Sequence, residues 1–229
     1  MPNTKALKKT DKRPFTVIIE GNIGSGKTTF LNHFKKYDNV CVLAEPVHMW
    51  RNCAGHNLLG LMYEDTSRWG FTFQSYVQLT MLQQHMFKTP HPIKLMERSI
   101  FSARYCFVEK MFCDGILPAP SASVINEWFK WITTKACPSV DLIVYLRTSP
   151  EVVYQRMLKR NREEEKLVSL QYLREIHEMH ENWLYHKTMF TCPAPVIVLN
   201  ADLDKSVIKE EYEKYEPHIL NKIAIGVRT

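Results

Sequence analysis

Glycine is scarce in this chain. It has eight in 229 residues, where the usual frequency of about 7% would supply roughly sixteen. Three of the eight, Gly21, Gly24 and Gly26, fall within six residues, so the backbone there must do something unusual. No two of the six cysteines form a C-x-x-C pair, which argues against a zinc ribbon or a thioredoxin-type motif and for reduced thiols. No apolar run approaches the eighteen or so residues of a membrane span, and no apolar run precedes the first strand as a secretory signal would. Residues 177–180 (His-Glu-Met-His) fail the H-E-x-x-H zinc pattern by one position and read as a histidine pair on a helix surface. There is no N-K-x-D guanine motif, no internal repeat and no Gly/Ser/Pro-rich linker. With 45% hydrophobic and 24% charged residues, the composition is that of a folded domain, not a disordered or fibrous chain.

The net charge of +6 is concentrated at one end. Residues 1–13 hold Lys5, Lys8, Lys9, Lys12 and Arg13 against Asp11. They are expected to form a basic flexible tail, a solvated end and not a nucleic-acid arm. Residues 14–229 are expected to form one domain. The expected compartment is the cytoplasm, with nucleus and mitochondrion left open.

Short apolar strands are predicted at 15–20, 40–44, 93–96, 141–146 and 195–199. Helices are predicted between them, at 28–37, 71–85, 99–112, 123–134, from Pro150, at 169–187 and at 206–223. The alternation predicts an α/β fold with a five-stranded parallel sheet covered by helices on both faces.

The glycine cluster reads Gly21-Asn22-Ile23-Gly24-Ser25-Gly26-Lys27-Thr28, a G-x-x-x-x-G-K-[ST] match between a predicted strand and a predicted helix. Such a loop turns backbone N–H groups inward around phosphate oxygens. Lys27 would reach the outer phosphates and Thr28 would bind Mg²⁺. A nucleoside triphosphate site follows. Ligands of open α/β sheets sit at the carboxyl ends of strands. That topology brings Glu45, Glu97 and Arg98 towards the same place, where a carboxylate can hold a metal or take a proton. The stretch 156–168 reads as a lid. Arg156 and Arg160, four residues apart, share a helix face, and Arg162 follows.

These motifs resemble the deoxyribonucleoside kinase family, nearest the branch with the insect multisubstrate and mitochondrial thymidine enzymes. The likeness rests on EGNIGSGKTT at 20–29, EPV..W at 45–50, FQSYV at 73–77, MERSIFSARYCFVE at 96–109, YLRTSPEVVYQR at 145–156 and the REEE lid. It runs from about Pro14 to about Asp204. It implies a P-loop kinase fold with an arginine-rich lid, using ATP and Mg²⁺ to phosphorylate the 5′-hydroxyl of a deoxyribonucleoside.

By resemblance, Glu45 is the general base and Arg98 holds the acceptor oxygen and the phosphoryl group. Lys27 and Arg162 join them in catalysis. Thr28 and Glu97 are the metal partners. The loop 21–29, including Ser25 and Thr29, with Arg156, Arg160 and Asp202, binds ATP. Tyr63 and Glu165 bind the 3′-hydroxyl, Gln74 reads the base edge and Phe107 stacks on the base. Trp50, Val77, Met81 and Ala103 shape the pocket, and the apolar character of the last three implies a preference for pyrimidines. A homodimer is also implied. Two other readings stay open at this point, a nucleoside monophosphate kinase and a nucleic-acid-binding protein using the tail.

Overall fold

A computed structural model describes residues 13–136, 138–204 and 207–221. Residues 1–12 of the basic segment and Cys137 lie outside them. The strands are β1 Phe15–Glu20, β2 Val40–Leu43, β3 Ile93–Glu97, β4 Leu142–Arg147 and β5 Val196–Asn200. They form one sheet in the order β2-β3-β1-β4-β5, and every pairing is parallel. Phe15 pairs with Ile93 and Val17 with Leu142, which sets β1 at the centre.

The strands are apolar without interruption because both of their faces are covered. Val17 and Ile19 point into one core with Leu95 and Val144, and Ile18 points into the other with Met96 and Ile143. The first face is closed by α1 (Lys27–His33) through Phe30 and Leu31. The opposite face takes the intervening helices. These are α2 (Val47–Arg51), α3 (Leu58–Glu64), α4 (Thr66–Met86), α5 (Ile100–Ser102), α6 (Glu109–Cys113) and α7 (Ala119–Trp131). The chain runs from α5 to α6 through a π-helical turn, Ala103–Val108. After β4 come α8 (Pro150–Arg160), a 3-10 turn Glu163–Leu167 and α9 (Leu170–His180). The last helix, α10 (Ile208–Leu220), returns to the first face through Ile208, Tyr212 and Ile219. Full burial of side chains such as Phe30 and Ile219 stabilises each contact by about 1.5–3 kcal/mol.

Several helices depart from the sequence expectation. Two were missed, α2 and α3. The third, α4, begins at Thr66 and not at Phe71, because the Asp65 carboxylate accepts from the Arg68 amide at 3.1 Å and caps it. The next difference is α7, which starts at Ala119. The predicted surface histidine pair is also corrected. His180 is fully buried, its Nδ1 is 2.7 Å from the Ile176 carbonyl and its ring stacks on Tyr145. Burial pushes its pKa down to about 3. Arg13, the last residue of the basic segment, pairs with Asp141 at 2.6 Å. Among the described residues, Cys41, Cys53, Cys106, Cys113 and Cys192 are free thiols, and no helix is long and apolar enough to cross a membrane.

Candidate active site

The connections after β1 and β3 leave in opposite directions across the sheet, and this switch point opens a crevice at the strand ends. The loop after β1 is held by close backbone packing. A Cβ on Gly21 would stand 2.8 Å from the Leu146 carbonyl oxygen, and one on Gly24 would stand 2.8 Å from that of Val153. Both residues also need positive φ, +144° and +79°. Gly26, at φ +96°, opens α1, and Thr29 is exposed on its first turn. Asn22 ties the loop to α9 by donating to the Leu173 carbonyl at 2.8 Å, while its Oδ1 accepts from the Ile23 amide. The buried Ser25 hydroxyl has no partner.

Lys27 donates to the carbonyls of Asn22 at 2.7 Å and Gly21 at 3.2 Å. Burial, and then the neighbouring Arg98 charge, push its ammonium down to about 7 against the pull of Glu97 and Glu45.

Four groups meet where β1, β2 and β3 end. The Thr28 hydroxyl donates to Glu97 Oε1 at 2.8 Å. The other Glu97 oxygen accepts from the Glu45 amide at 3.4 Å. Arg98 Nε lies 3.0 Å from Glu45 Oε1. Enclosure raises the Glu45 pKa, and Arg98 and Lys27 oppose the rise. Arg98 takes a left-handed backbone (φ +61°), which costs a non-glycine residue of order 1 kcal/mol or more. The neighbours hold it there. Its amide donates to the Ile19 carbonyl at 2.9 Å, and the following Ser99 caps α5. The Ser99 hydroxyl in turn donates to Glu20 Oε1 at 2.5 Å. The second Glu20 oxygen is buried without a partner, and burial pushes this carboxyl up to about 7.

This cluster helps to line a partly open cavity of about 280 Å³, close to the lower end of ligand-pocket sizes, ~300 Å³. Gln74, Val77 and Met81 reach it from one face of α4, and Ala103 and Phe107, four apart on the π-helical turn, from another side. Trp50 of α2 lines it with its indole N–H donating to Thr80 at 2.9 Å, and its ring meets Phe73 edge-on. Gln74 is 2% exposed, and its amide oxygen has no partner. The Arg98 guanidinium sits 4.8 Å from the centre of the Phe107 ring. Tyr63 and Glu165 also line the cavity, and burial, with Tyr172 and Glu165 nearby, raises the Tyr63 phenol. Arg160 contacts both Glu165 oxygens at 2.6 Å, and Arg162 contacts one at 3.3 Å.

Ile23, Gly24, Lys27 and Thr28 of the loop line the cavity, whereas Gly21, Asn22, Ser25, Gly26 and Thr29 do not. Two expected phosphate-site residues are also outside it. Arg156 donates to the carbonyls of Ala201 at 2.8 Å and Leu203 at 3.0 Å. Asp202 accepts from the Ser149 amide at 2.7 Å and its hydroxyl at 3.0 Å, at the start of α8. Sequence reasoning missed Met62 and Tyr172 on the cavity wall. Met62 lies on a helix too short to show its period in the sequence, and Tyr172 had no signal. It also gave no role to Glu20.

Compared with known families, residues 17–225 match the deoxynucleoside kinase family. The chain belongs to that family. The match runs past Asp204, where the motif likeness ends, and takes in α10. The human protein "Thymidine kinase 2, mitochondrial" is 51% identical over 214 residues, covering 93% of this chain and 81% of that one. The chicken "Deoxycytidine kinase 2" is 33% identical over 233 residues, covering 88% of each. The mouse "Deoxycytidine kinase" is 33% identical over 227 residues, covering 86% of each. As a deoxynucleoside kinase, the protein phosphorylates deoxynucleosides.

Proposed function

We propose that the chain transfers the γ-phosphoryl group of ATP to the 5′-hydroxyl of deoxyribonucleosides, with pyrimidines preferred. The observation that carries this reading is the buried, unpartnered amide oxygen of Gln74 in the cavity. An amide presents one acceptor and a pair of donors, which suits the edge of a pyrimidine. The apolar lining by Val77, Met81 and Ala103 leaves a purine less to bond. The thymidine kinase name of the human relative points the same way.

In this reading the base stacks on Phe107 with Trp50 beside it. The sugar lies between the base and the Glu45–Arg98 pair. Glu45 accepts the 5′-hydroxyl proton, a task its raised pKa suits. Arg98 holds that oxygen and the incoming phosphoryl group. Tyr63 and Glu165 take the 3′-hydroxyl. Lys27 hands its ammonium from the loop carbonyls to the outer phosphates, and Arg160 and Arg162 neutralise charge that develops in transfer. Arg156 and Asp202 brace the 201–203 loop and the start of α8, past which the adenine would lie.

Among the described residues no cluster of three or more His, Cys, Asp or Glu is arranged for a metal. A Thr28–Glu97 pair of hard oxygens fits Mg²⁺, which takes few protein ligands and completes its shell with phosphates and water. When bound there, Mg²⁺ supplies charge to the leaving phosphates.

The carboxylate of Glu45 would repel an acceptor phosphate, which favours a nucleoside over a nucleoside monophosphate. A homodimer is part of the proposal. Trp128 and Trp131 on α7 are 59% and 51% exposed, and Leu79 on α4, against which α7 packs, is 51% exposed. A second copy of this chain would cover that apolar surface, and light scattering of wild type and Trp128→Glu tests it. The human relative's name makes the mitochondrion the alternative to the cytoplasm, and imaging the chain with and without residues 1–13 separates them. Turnover of the four deoxynucleosides with ATP and Mg²⁺ tests the main reading. Thymidine and deoxycytidine are expected to lead, and equal or greater turnover of the purine nucleosides would overturn the base assignment.

A further inference from the structure

The lid turn Glu163–Leu167 carries three carboxylates with different partners. Glu163 pairs with Lys166 at 2.6 Å, within the turn. Glu165 is gripped by Arg160 and Arg162, five and three residues back. Those bonds join the lid to itself and to the end of α8, so they do not hold it against the body of the protein. Glu164 differs. Its two oxygens accept from Arg51 Nε at 2.7 Å and Nη2 at 2.9 Å, a bidentate contact across 113 residues of sequence. Arg51 first, with Asn57 at the cap of α3 a lesser influence, holds the Glu164 carboxyl below its ordinary pKa. The Glu164 side chain is 13% exposed and that of Arg51 is 39%. The planar fork of arginine makes such a contact stronger and more directional than an ordinary surface pair.

Adjacency gives this contact its meaning. Trp50, immediately before Arg51, lines the cavity and is fixed by Thr80. Glu165, immediately after Glu164, lines the cavity from the other side. One bidentate bond therefore links two cavity-lining residues through their neighbours in the chain. We propose that Arg51 is a positioning residue: its fork on Glu164 latches the lid to α2 and sets Glu165 against the sugar of the acceptor nucleoside. This rests on the reading that Glu165 takes the 3′-hydroxyl.

The latch predicts that Arg51→Gln raises the KM for thymidine about fivefold, the size of one well-formed, partly buried ion pair. The KM for ATP stays within about twofold. The preference for thymidine over 3′-deoxythymidine in kcat/KM shrinks by a similar factor, which a merely structural role would not change. Lid amides at 163–168 exchange faster with deuterium, with the melting temperature unchanged. The charge-reversed pair, Arg51→Glu with Glu164→Arg, recovers part of both effects, whereas each single reversal loses both.

Unchanged lid exchange in Arg51→Gln overturns the latch. Faster exchange with the preference intact overturns the positioning role, provided that Glu165→Gln abolishes the preference. If Glu165→Gln also leaves it intact, the 3′-hydroxyl reading fails and the positioning role falls with it, while the exchange rates still decide whether the latch exists.

Discussion

The two ends of the site are built by different means. The phosphate end is made from consecutive residues. Gly21 to Thr28 follow one strand, and their shape is imposed by backbone packing against Leu146 and Val153. The nucleoside end is made from side chains on α2, α3, α4, the π-helical turn, α9 and the lid, held by an indole hydrogen bond and arginine–carboxylate pairs. At Gly21 and Gly24 the first geometry leaves no room for a side chain, because a backbone carbonyl stands 2.8 Å from each Cβ position. The second can be retuned one side chain at a time. In the proposed reading, a common phosphoryl-transfer apparatus sits beside an adjustable pocket, with Glu45 and Arg98 at the junction.

Substitutions at the two ends should therefore differ in kind. The largest effect is expected at the junction. Glu45→Gln should lower kcat by about 10²–10⁴, the usual cost of losing a positioned base, with an unchanged melting curve. Near-normal turnover would remove Glu45 from the chemistry. Next is Gln74→Leu, which should raise the KM for thymidine by about 10- to 100-fold, the cost of losing hydrogen bonds in a dry site, with little change in the KM for ATP. If both KM values rise together, the two ends are not separable. Met81→Arg with Ala103→Asp should move the ranking of substrates towards purine nucleosides by about tenfold, read as a ratio of kcat/KM values. An unchanged ranking would take those positions out of specificity.

The smallest effect on activity is expected from Glu20→Gln. Folded Glu20 holds its proton up to about pH 7, while the ordinary value is 4.5. The folded state binds more protons between those limits, so stability falls as pH rises through that window and levels off above it. Glutamine keeps the bond from Ser99 and removes that slope, worth on the order of 3 kcal/mol or several degrees in melting temperature. Melting curves at pH 4.5, 6 and 7.5 check it, and parallel curves for the two proteins would show that Glu20 ionises normally.

The same contrast explains what could be read from the sequence. The sheet and the phosphate loop were legible because uninterrupted apolar strands and a contiguous glycine motif are local signals. The pocket was legible only through resemblance. Val47–Arg51 and Leu58–Glu64, of five and seven residues, are too short to declare a helical period. Gly70 lies inside α4, where a Cβ would stand 3.3 Å from the Met111 sulfur. The π-helical turn that aims Ala103 and Phe107 at the cavity has no sequence signature. His180 looked like a surface residue because its burial comes from Tyr145, 35 positions away in the chain.

The central claim is that the Glu45–Arg98 junction accepts a neutral hydroxyl and not a phosphate. The most direct test is the initial rate of transfer from ATP, with Mg²⁺, to thymidine and to thymidylate under identical conditions, in wild type and in Glu45→Gln. Rapid phosphorylation of thymidine, none of thymidylate, and loss of the thymidine rate in the variant are predicted. Thymidylate as the better acceptor, or a thymidine rate indifferent to Glu45, would contradict the account.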